Sequence, residues 1–199
     1  MDKIIILGNG GHAKSIVDTI EKQGIFQIAG YVVNDECKEE GDYPIIGCDK
    51  DLEKIYQNGI HNVAIGIGYL GKGTVRNKLY EHLKKIGYSF PIIMDPTAIV
   101  SNKVEVEEGT FIGKGVIVNA GVHIGKICII NTGSIVEHDC HVGDFSHISV
   151  GTVLCGDVQI GNETLIGANA TVIQGRRIGD RCIVGAGEVV RKNILKEGC

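Results

Sequence analysis

The chain has 199 residues, a formal net charge of −4 and a pI near 6.0, so it carries no basic footprint for nucleic acid and is long enough for one large or two small domains. Apolar residues make up 43%, aromatics only 5%, and 29 glycines stand beside three prolines, a balance that excludes disorder and suits regular β structure with many tight corners. Seven cysteines form no CxxC pair, and "MDKIIILGNG" has too short an apolar run for a signal peptide or membrane span; reduced thiols and a cytoplasmic protein with no membrane partner are expected.

Residues 1–95 alternate strand and helix patterns. "KIIIL" reads as a short buried strand running into Gly8-Asn9-Gly10-Gly11. Ala13, Ile16, Val17 and Ile20 then mark one helical face, and Gly24 ends it. "QIAGYVV" is a second strand that ends at Asn34-Asp35. Leu52, Ile55 and Tyr56 form a helical stripe stopped by Asn58-Gly59, and "NVAIGIG" is the next strand. Val75, Leu79, Leu83 and Ile86 predict a last helix face, and "FPII" a final strand. This alternation implies a small parallel sheet of half-Rossmann type. "GNGGHA" fits G-x-G-x-x-A, with Asp35 about twenty residues on, a partial dinucleotide fingerprint. A half-sized unit holds one nucleotide. That favours a nucleotide-sugar pyrophosphate over NAD and leaves a nicotinamide enzyme as an alternative.

Residues 96–199 have another rhythm. Every sixth residue from Val100 through Val106, Ile112 and onward to Val190 is Ile, Leu or Val, at all sixteen positions. Two residues before most of them stands a small side chain, among them Thr110, Cys128, Ser134, Cys140, Ser146, Thr152, Thr164 and Ala170. Alternate strand residues share a face, so both series point inward. Gly125, Gly143, Gly161 and Gly179 recur every eighteen residues and mark a repeated corner. The pattern predicts a parallel β-helix of three short sides per coil, with Cys128, Cys140 and Cys182 as small packing residues.

Inside this repeat lies "VEHDCHVGDFSHIS", residues 136–149. His138 falls at a corner, beside Glu137 and Asp139, with Gly156 one coil later. A general base next to bare backbone suits acyl transfer, in which an N–H receives the developing oxyanion; a solvated corner histidine is the plain alternative. His141 and His147 each precede an inward aliphatic and so point outward from flat sides. His123 and His141 are eighteen apart and should stack. With His147 they raise a zinc reading, but zinc needs three nitrogens at ~2.0–2.1 Å around one point, so a solvated histidine ladder is expected instead.

These residues carry a resemblance. "ILGNGGHA" at 6–13, "VVND" at 32–35, "AIGIG" at 64–68 and "NTGSIVEHDCHVGDFSHISVGTVLCG" at 131–156 resemble the hexapeptide-repeat sugar acetyltransferases, from residue 3 to about 193. The similarity is to UDP-4-amino-sugar N-acetyltransferases and sialic acid O-acetyltransferases. It implies a left-handed β-helix, a homotrimer with active sites between subunits, acetyl-CoA as cosubstrate without a metal, and a nucleotide-linked amino sugar as acceptor. It places the base on His138, with Asp139 as its carboxylate partner where the family usually has Glu, and Glu137 adjacent. It places acetyl-CoA contacts on His147, Gly156, Ala168 and Ala186. Substrate contacts fall on Gly10, Gly11, His12, Asn34, Asp35, Gly68 and Asn131. Sugar O-acetylation is the near alternative, and a zinc β-helix carbonic anhydrase-like enzyme the more distant one. The Gly-x-Pro-Ala segment with which the family closes on its cofactor has no counterpart in "KNILKEGC".

Overall fold

The computed structural model describes residues 1–34, 41–71 and 73–199. The chain forms two compact units, one of residues 1–68 and 74–93, the other of residues 69–73 and 94–199.

The first unit is a four-stranded parallel sheet in the order β3-β2-β1-β4, with β1 Asp2–Leu7, β2 Phe26–Val32, β3 Ile45–Gly47 and β4 Asn62–Ile65. Ile4, Ile5, Ile6 and Leu7 are all buried, as a continuous apolar run requires when both faces of a parallel strand are covered. Helix α1, Gly11–Gln23, buries Ala13, Ile16, Val17 and Ile20 and ends at Gly24, whose φ of 63° lets its N–H reach the Ile20 carbonyl. Gly66 packs so tightly that a Cβ there would lie 2.8 Å from the Ala13 Cβ.

Helix α2, Leu52–Gln57, buries Leu52 and Ile55. Helix α3, Val75–Ile86, departs from the expected face: it buries Arg76, Tyr80 and Leu83, while Val75 is exposed. An arginine stem and an amphipathic ring cover the core as well as aliphatics do, and a purely aliphatic stripe overlooks them. The strand found there, Ile93–Met94, starts only at the last residue of "FPII" and is a member of a β-helix face, not of the four-stranded sheet. Strand β3 had no clear signal in its three residues.

The second unit is a β-helix of two-residue strands on three parallel faces. One face stacks Glu105–Val106, His123–Ile124, His141–Val142, Gln159–Ile160 and Arg177–Ile178. The second includes Phe111–Ile112, Ile129–Ile130, His147–Ile148, Leu165–Ile166 and Ile183–Val184. The third stacks Ile99–Val100, Ile117–Val118, Ile135–Val136, Val153–Leu154, Thr171–Val172 and Val189–Val190. Partners in register, such as His123 with His141 and Ile135 with Val153, are eighteen residues apart, so no coil carries an insertion. The inward aliphatics from Ile112 to Val190 form one buried core. Each contributes about 1.5–3 kcal/mol of burial.

The small inward residues do more than fill space. Thr110 Oγ1 donates to the Gly125 carbonyl at 2.7 Å and accepts the Cys128 N–H at 2.9 Å. Ser146 and Thr164 repeat this two and three coils on. The thiols of Cys128 and Cys140 donate to the Gly143 and Cys155 carbonyls, so these cysteines are hydrogen-bonded as well as packed. Buried polar groups are thereby satisfied, each bond adding about 1 kcal/mol.

The corners repeat with equal regularity. From Gly109 to Gly187, every sixth residue has a positive φ: seven of them are not glycine, including Ile127, Asp139, Phe145 and Asp157. At another corner, the glycine column is obligatory, because a Cβ on Gly143 would lie 2.7 Å from the Asn162 nitrogen. The residue after each such glycine joins a ladder: Asp144 Oδ1 accepts the Lys126 N–H, Asn162 Oδ1 the Asp144 N–H, and Asp180 Oδ1 the Asn162 N–H. Asp144 is therefore a structural member of the histidine-rich segment. After the last coil, Ile194 bridges Ile178 and the Cys199 carbonyl accepts the Ile183 N–H. Among the described residues no helix is long and apolar enough to cross a membrane.

Candidate active site

The third face delivers Val136 inward, and the chain turns at His138 and Asp139. Asp139 occupies the left-handed corner position, φ 60°, which Asp tolerates better than most residues. This turn brings neighbouring side chains together: His138 Nδ1 lies 2.8 Å from Asp139 Oδ2. The Glu137 carboxylate accepts the His138 backbone N–H at 3.3 Å. A short Asp therefore reaches the ring where the family usually has Glu. The Asp139 hydrogen bond raises the His138 pKa above the ordinary histidine value, Glu137 and Asp157 add to the rise, and desolvation opposes it. The pair is open to solvent, with side chains 62% and 68% exposed.

With Nδ1–H donated to the carboxylate, Nε2 is left as the basic nitrogen. It points at Gly156: a Cβ built on that residue would lie 2.6 Å from both Nε2 and Cε1. The imidazole thus lies against bare backbone, as the spacing implied. Gly156 is buried, and its N–H makes no hydrogen bond among the described residues. His138, Cys155, Gly156, Asp157, Gln174 and Gly175 line an open cleft. A proton acceptor and an unsatisfied donor on one cleft wall are the two parts that acyl transfer to an amine requires.

His147 has a different environment. It does point outward from its flat side, yet it is only 7% exposed. Tyr69 lies over it: His147 Nδ1 is 2.7 Å from the Tyr69 carbonyl oxygen, and the Tyr69 hydroxyl donates to the Glu163 carbonyl at 2.6 Å. Nε2 is 3.1 Å from Asn131 Nδ2, which puts Asn131 beside His147. Tyr69 was invisible to the repeat pattern because it comes from outside the repeat. Ala168 and Ala186 are stacked one coil apart, with the Gly187 N–H donating to the Ala168 carbonyl, and Ala186 is exposed.

His123 and His141 stack as their spacing implied, with ring centroids 4.8 Å apart and planes within 8°. Glu107 pairs with His123 Nε2 at 3.2 Å. Burial, and then the neighbouring His123, lower the His141 pKa, with Asp144 and Glu107 acting the other way. His147 lies on a different face, and among the described residues no group of three or more His, Cys, Asp or Glu is placed to hold a metal ion.

In the first unit, Gly10 caps α1 and Gly11 begins it. A Cβ on either would meet nothing within 4 Å, so the backbone at this helix N-terminus is open to a ligand. A Cβ on Gly68 would lie 3.7 Å from the His12 Cβ, so Gly10, Gly11, His12 and Gly68 share one rim. That rim lies past the carboxyl ends of β1 and β4, where strand order reverses. Asn34 is exposed just beyond β2, and Asp35 lies outside the described residues.

Comparison with known proteins agrees with this architecture. Residues 3–83 match the PglD N-terminal domain family, and residues 103–138 and 157–192 match the hexapeptide repeat of succinyl-transferase. No curated protein matches the chain. PerB from Caulobacter crescentus, in complex with CoA and GDP-perosamine, is 33% identical over 98% of this chain and 92% of its own, with a TM-score of 0.92. A variant of perosamine N-acetyltransferase from the same organism, also with CoA and GDP-perosamine, is 33% identical over 98% of this chain and 91% of its own, with a TM-score of 0.92. The acetyltransferase domain of PglB from Neisseria gonorrhoeae, in complex with acetyl coenzyme A, is 27% identical over 98% and 93%, with a TM-score of 0.88. Both halves of the fold and near full-length likeness lead to one conclusion: this chain belongs to the hexapeptide-repeat sugar acetyltransferase family, an α/β domain followed by a left-handed β-helix.

Proposed function

We propose that this acetyltransferase transfers the acetyl group of acetyl-CoA to the amine of a nucleotide-linked amino sugar, with His138 as general base. The observation that carries the reading is the His138–Asp139 pair lying against the bare backbone of Gly156. His138 Nε2 takes the proton from the attacking amine, and Asp139 stabilises the imidazolium that forms. The nitrogen adds to the thioester carbonyl, and the Gly156 N–H receives the oxyanion. Collapse of the tetrahedral intermediate forms the amide and expels the coenzyme as thiolate, which the imidazolium protonates.

The glycine rim of the first unit suits the acceptor's pyrophosphate, with Gly10 and Gly11 offering backbone at a helix N-terminus and His12, Asn34 and Gly68 nearby. His147, Gly156, Ala168 and Ala186 belong to the acetyl-CoA side, and Asn131, assigned to the substrate, lies beside His147 where the two sides meet. The third face of the β-helix presents Ile99, Ile117, Ile135, Val153, Thr171 and Val189 outward in one column, and Ile99 is 67% exposed. Such an apolar column favours a second copy of the chain as its cover. His138 lies two residues beyond that face, which supports a homotrimer with shared sites.

The test is thiol release from acetyl-CoA in the presence of UDP-, GDP-, CMP- and dTDP-linked amino sugars. Turnover with one of them, lost by about 10²–10⁴-fold in His138→Ala, is the expected result. A His138→Ala enzyme with near-normal transfer to its true acceptor overturns the mechanism.

A further inference from the structure

Among the described residues His147 is the only buried histidine, and both of its ring nitrogens are engaged. Nδ1 is 2.7 Å from the Tyr69 carbonyl oxygen, which can only accept, so Nδ1 carries a hydrogen. Nε2 is 3.1 Å from Asn131 Nδ2. The orientation of that amide is set at its other end, where Oδ1 accepts the Thr132 N–H at 2.8 Å. The NH2 group therefore faces the ring and donates, and Nε2 is a bare acceptor.

We propose that Asn131 and the Tyr69 carbonyl hold His147 as a neutral imidazole protonated on Nδ1. Asn131 and Tyr69 are then positioning residues for the acetyl-CoA side of the site, and His138 is the sole proton acceptor. This rests on the reading that His147 faces acetyl-CoA. To take up a proton on Nε2, His147 would have to expel the Asn131 amide, and turning that amide over would break its bond with Thr132. A thioester beside this ring meets an oriented, uncharged group and not a cation.

Tyr69 and Gly71 are themselves held in place. The Tyr69 phenol is bound to the Glu163 carbonyl, and Gly71, at φ 80°, approaches so closely that a Cβ would lie 2.5 Å from Ile183 Cγ1. Among the described residues, the flanking positions in register are Ile129 and Leu165, and the titratable groups on the covering elements are the Tyr69 phenol and Glu163, whose main chain meets it.

The test is nuclear magnetic resonance of the full chain with ¹⁵N-labelled histidine, His147 being assigned from a His147→Gln spectrum. A protonated Nδ1 and a bare Nε2, unchanged from about pH 8 to about pH 5.5, are expected. In Asn131→Asp a carboxylate replaces the donor, Nε2 gains a hydrogen, and His147 becomes an imidazolium at neutral pH. The KM for acetyl-CoA then rises about tenfold, while the acid limb of the pH–rate profile, set by His138, stays in place. Tyr69→Phe keeps the carbonyl and leaves the Nδ1–H signature intact. A wild-type ring protonated on Nε2, or one that is cationic at neutral pH, overturns the proposal, as does an unchanged spectrum in Asn131→Asp. Because the spectra need no substrate, a chain with the expected signature but no acetyl transfer would count against the functional reading alone.

Discussion

His138 and His147 are nine residues apart, one and a half steps of the same six-residue repeat, and they end in opposite surroundings. The half step puts one on a corner and the other on a flat side. At the corner the ring is open to solvent, tied to a carboxylate, and raised in pKa. On the flat side the ring is covered, and each of its nitrogens has a neutral partner. The comparison teaches that surroundings, more than residue type, set a histidine apart: the corner leaves His138 open to solvent beside a carboxylate, and Tyr69 covers His147 on its flat side.

The most direct way to break this contrast is to fill the space the corner ring uses. Gly156 does not have a left-handed φ, so alanine fits its backbone, but the new Cβ would sit 2.6 Å from His138 Nε2. Gly156→Ala should lower kcat about a hundredfold with little change in melting temperature, since displacing a catalytic group by about 1 Å costs that much. A near-wild-type kcat would detach the corner from the chemistry.

A smaller effect sharpens the electrostatic side. Asp139→Asn removes the principal cause of the raised His138 pKa. A general base works deprotonated, so the rate rises with pH through that pKa, and the variant's acid limb should move to lower pH. Its plateau should fall about tenfold, because the imidazolium loses its partner. An unmoved acid limb would separate Asp139 from the base.

The smallest effect tests another flat side, the one that carries the stacked His123–His141 pair. The His141 pKa is lowered in the fold, so the unfolded chain binds a proton first as pH falls. Stability from this group is present in full above the ordinary histidine value and is lost as pH drops through the lowered one. Thermal melts between about pH 7 and pH 5 should show a loss of about a few tenths of a kcal/mol that His141→Gln removes, small because the ring is partly solvated.

The repeat was legible because every coil keeps its length: sixteen aliphatic positions in one phase need no tertiary information to find. The position of His138 against Gly156 follows from that register alone. The left-handed corner column was not legible, because Ile127, Asp139, Phe145 and Arg181 share it with glycines and have no chemistry in common. The α3 face was misjudged at Arg76 and Tyr80, whose polar ends conceal apolar stems. Tyr69 was missed because it lies 78 residues from His147 in sequence, and only folding brings its carbonyl to that ring.

A stack of coils in uniform register is a one-dimensional object, each layer touching only the layers above and below. It melts by fraying from its ends. The Ile135–Val136 layer has Ile117–Val118 on one side and Val153–Leu154 on the other, with further layers beyond each. The two ends of the stack can therefore open and close while the layer that carries His138 stays ordered. Amide exchange should be slowest in that layer and quicken toward both ends, which places the proton-transfer corner in the most persistent part of the array.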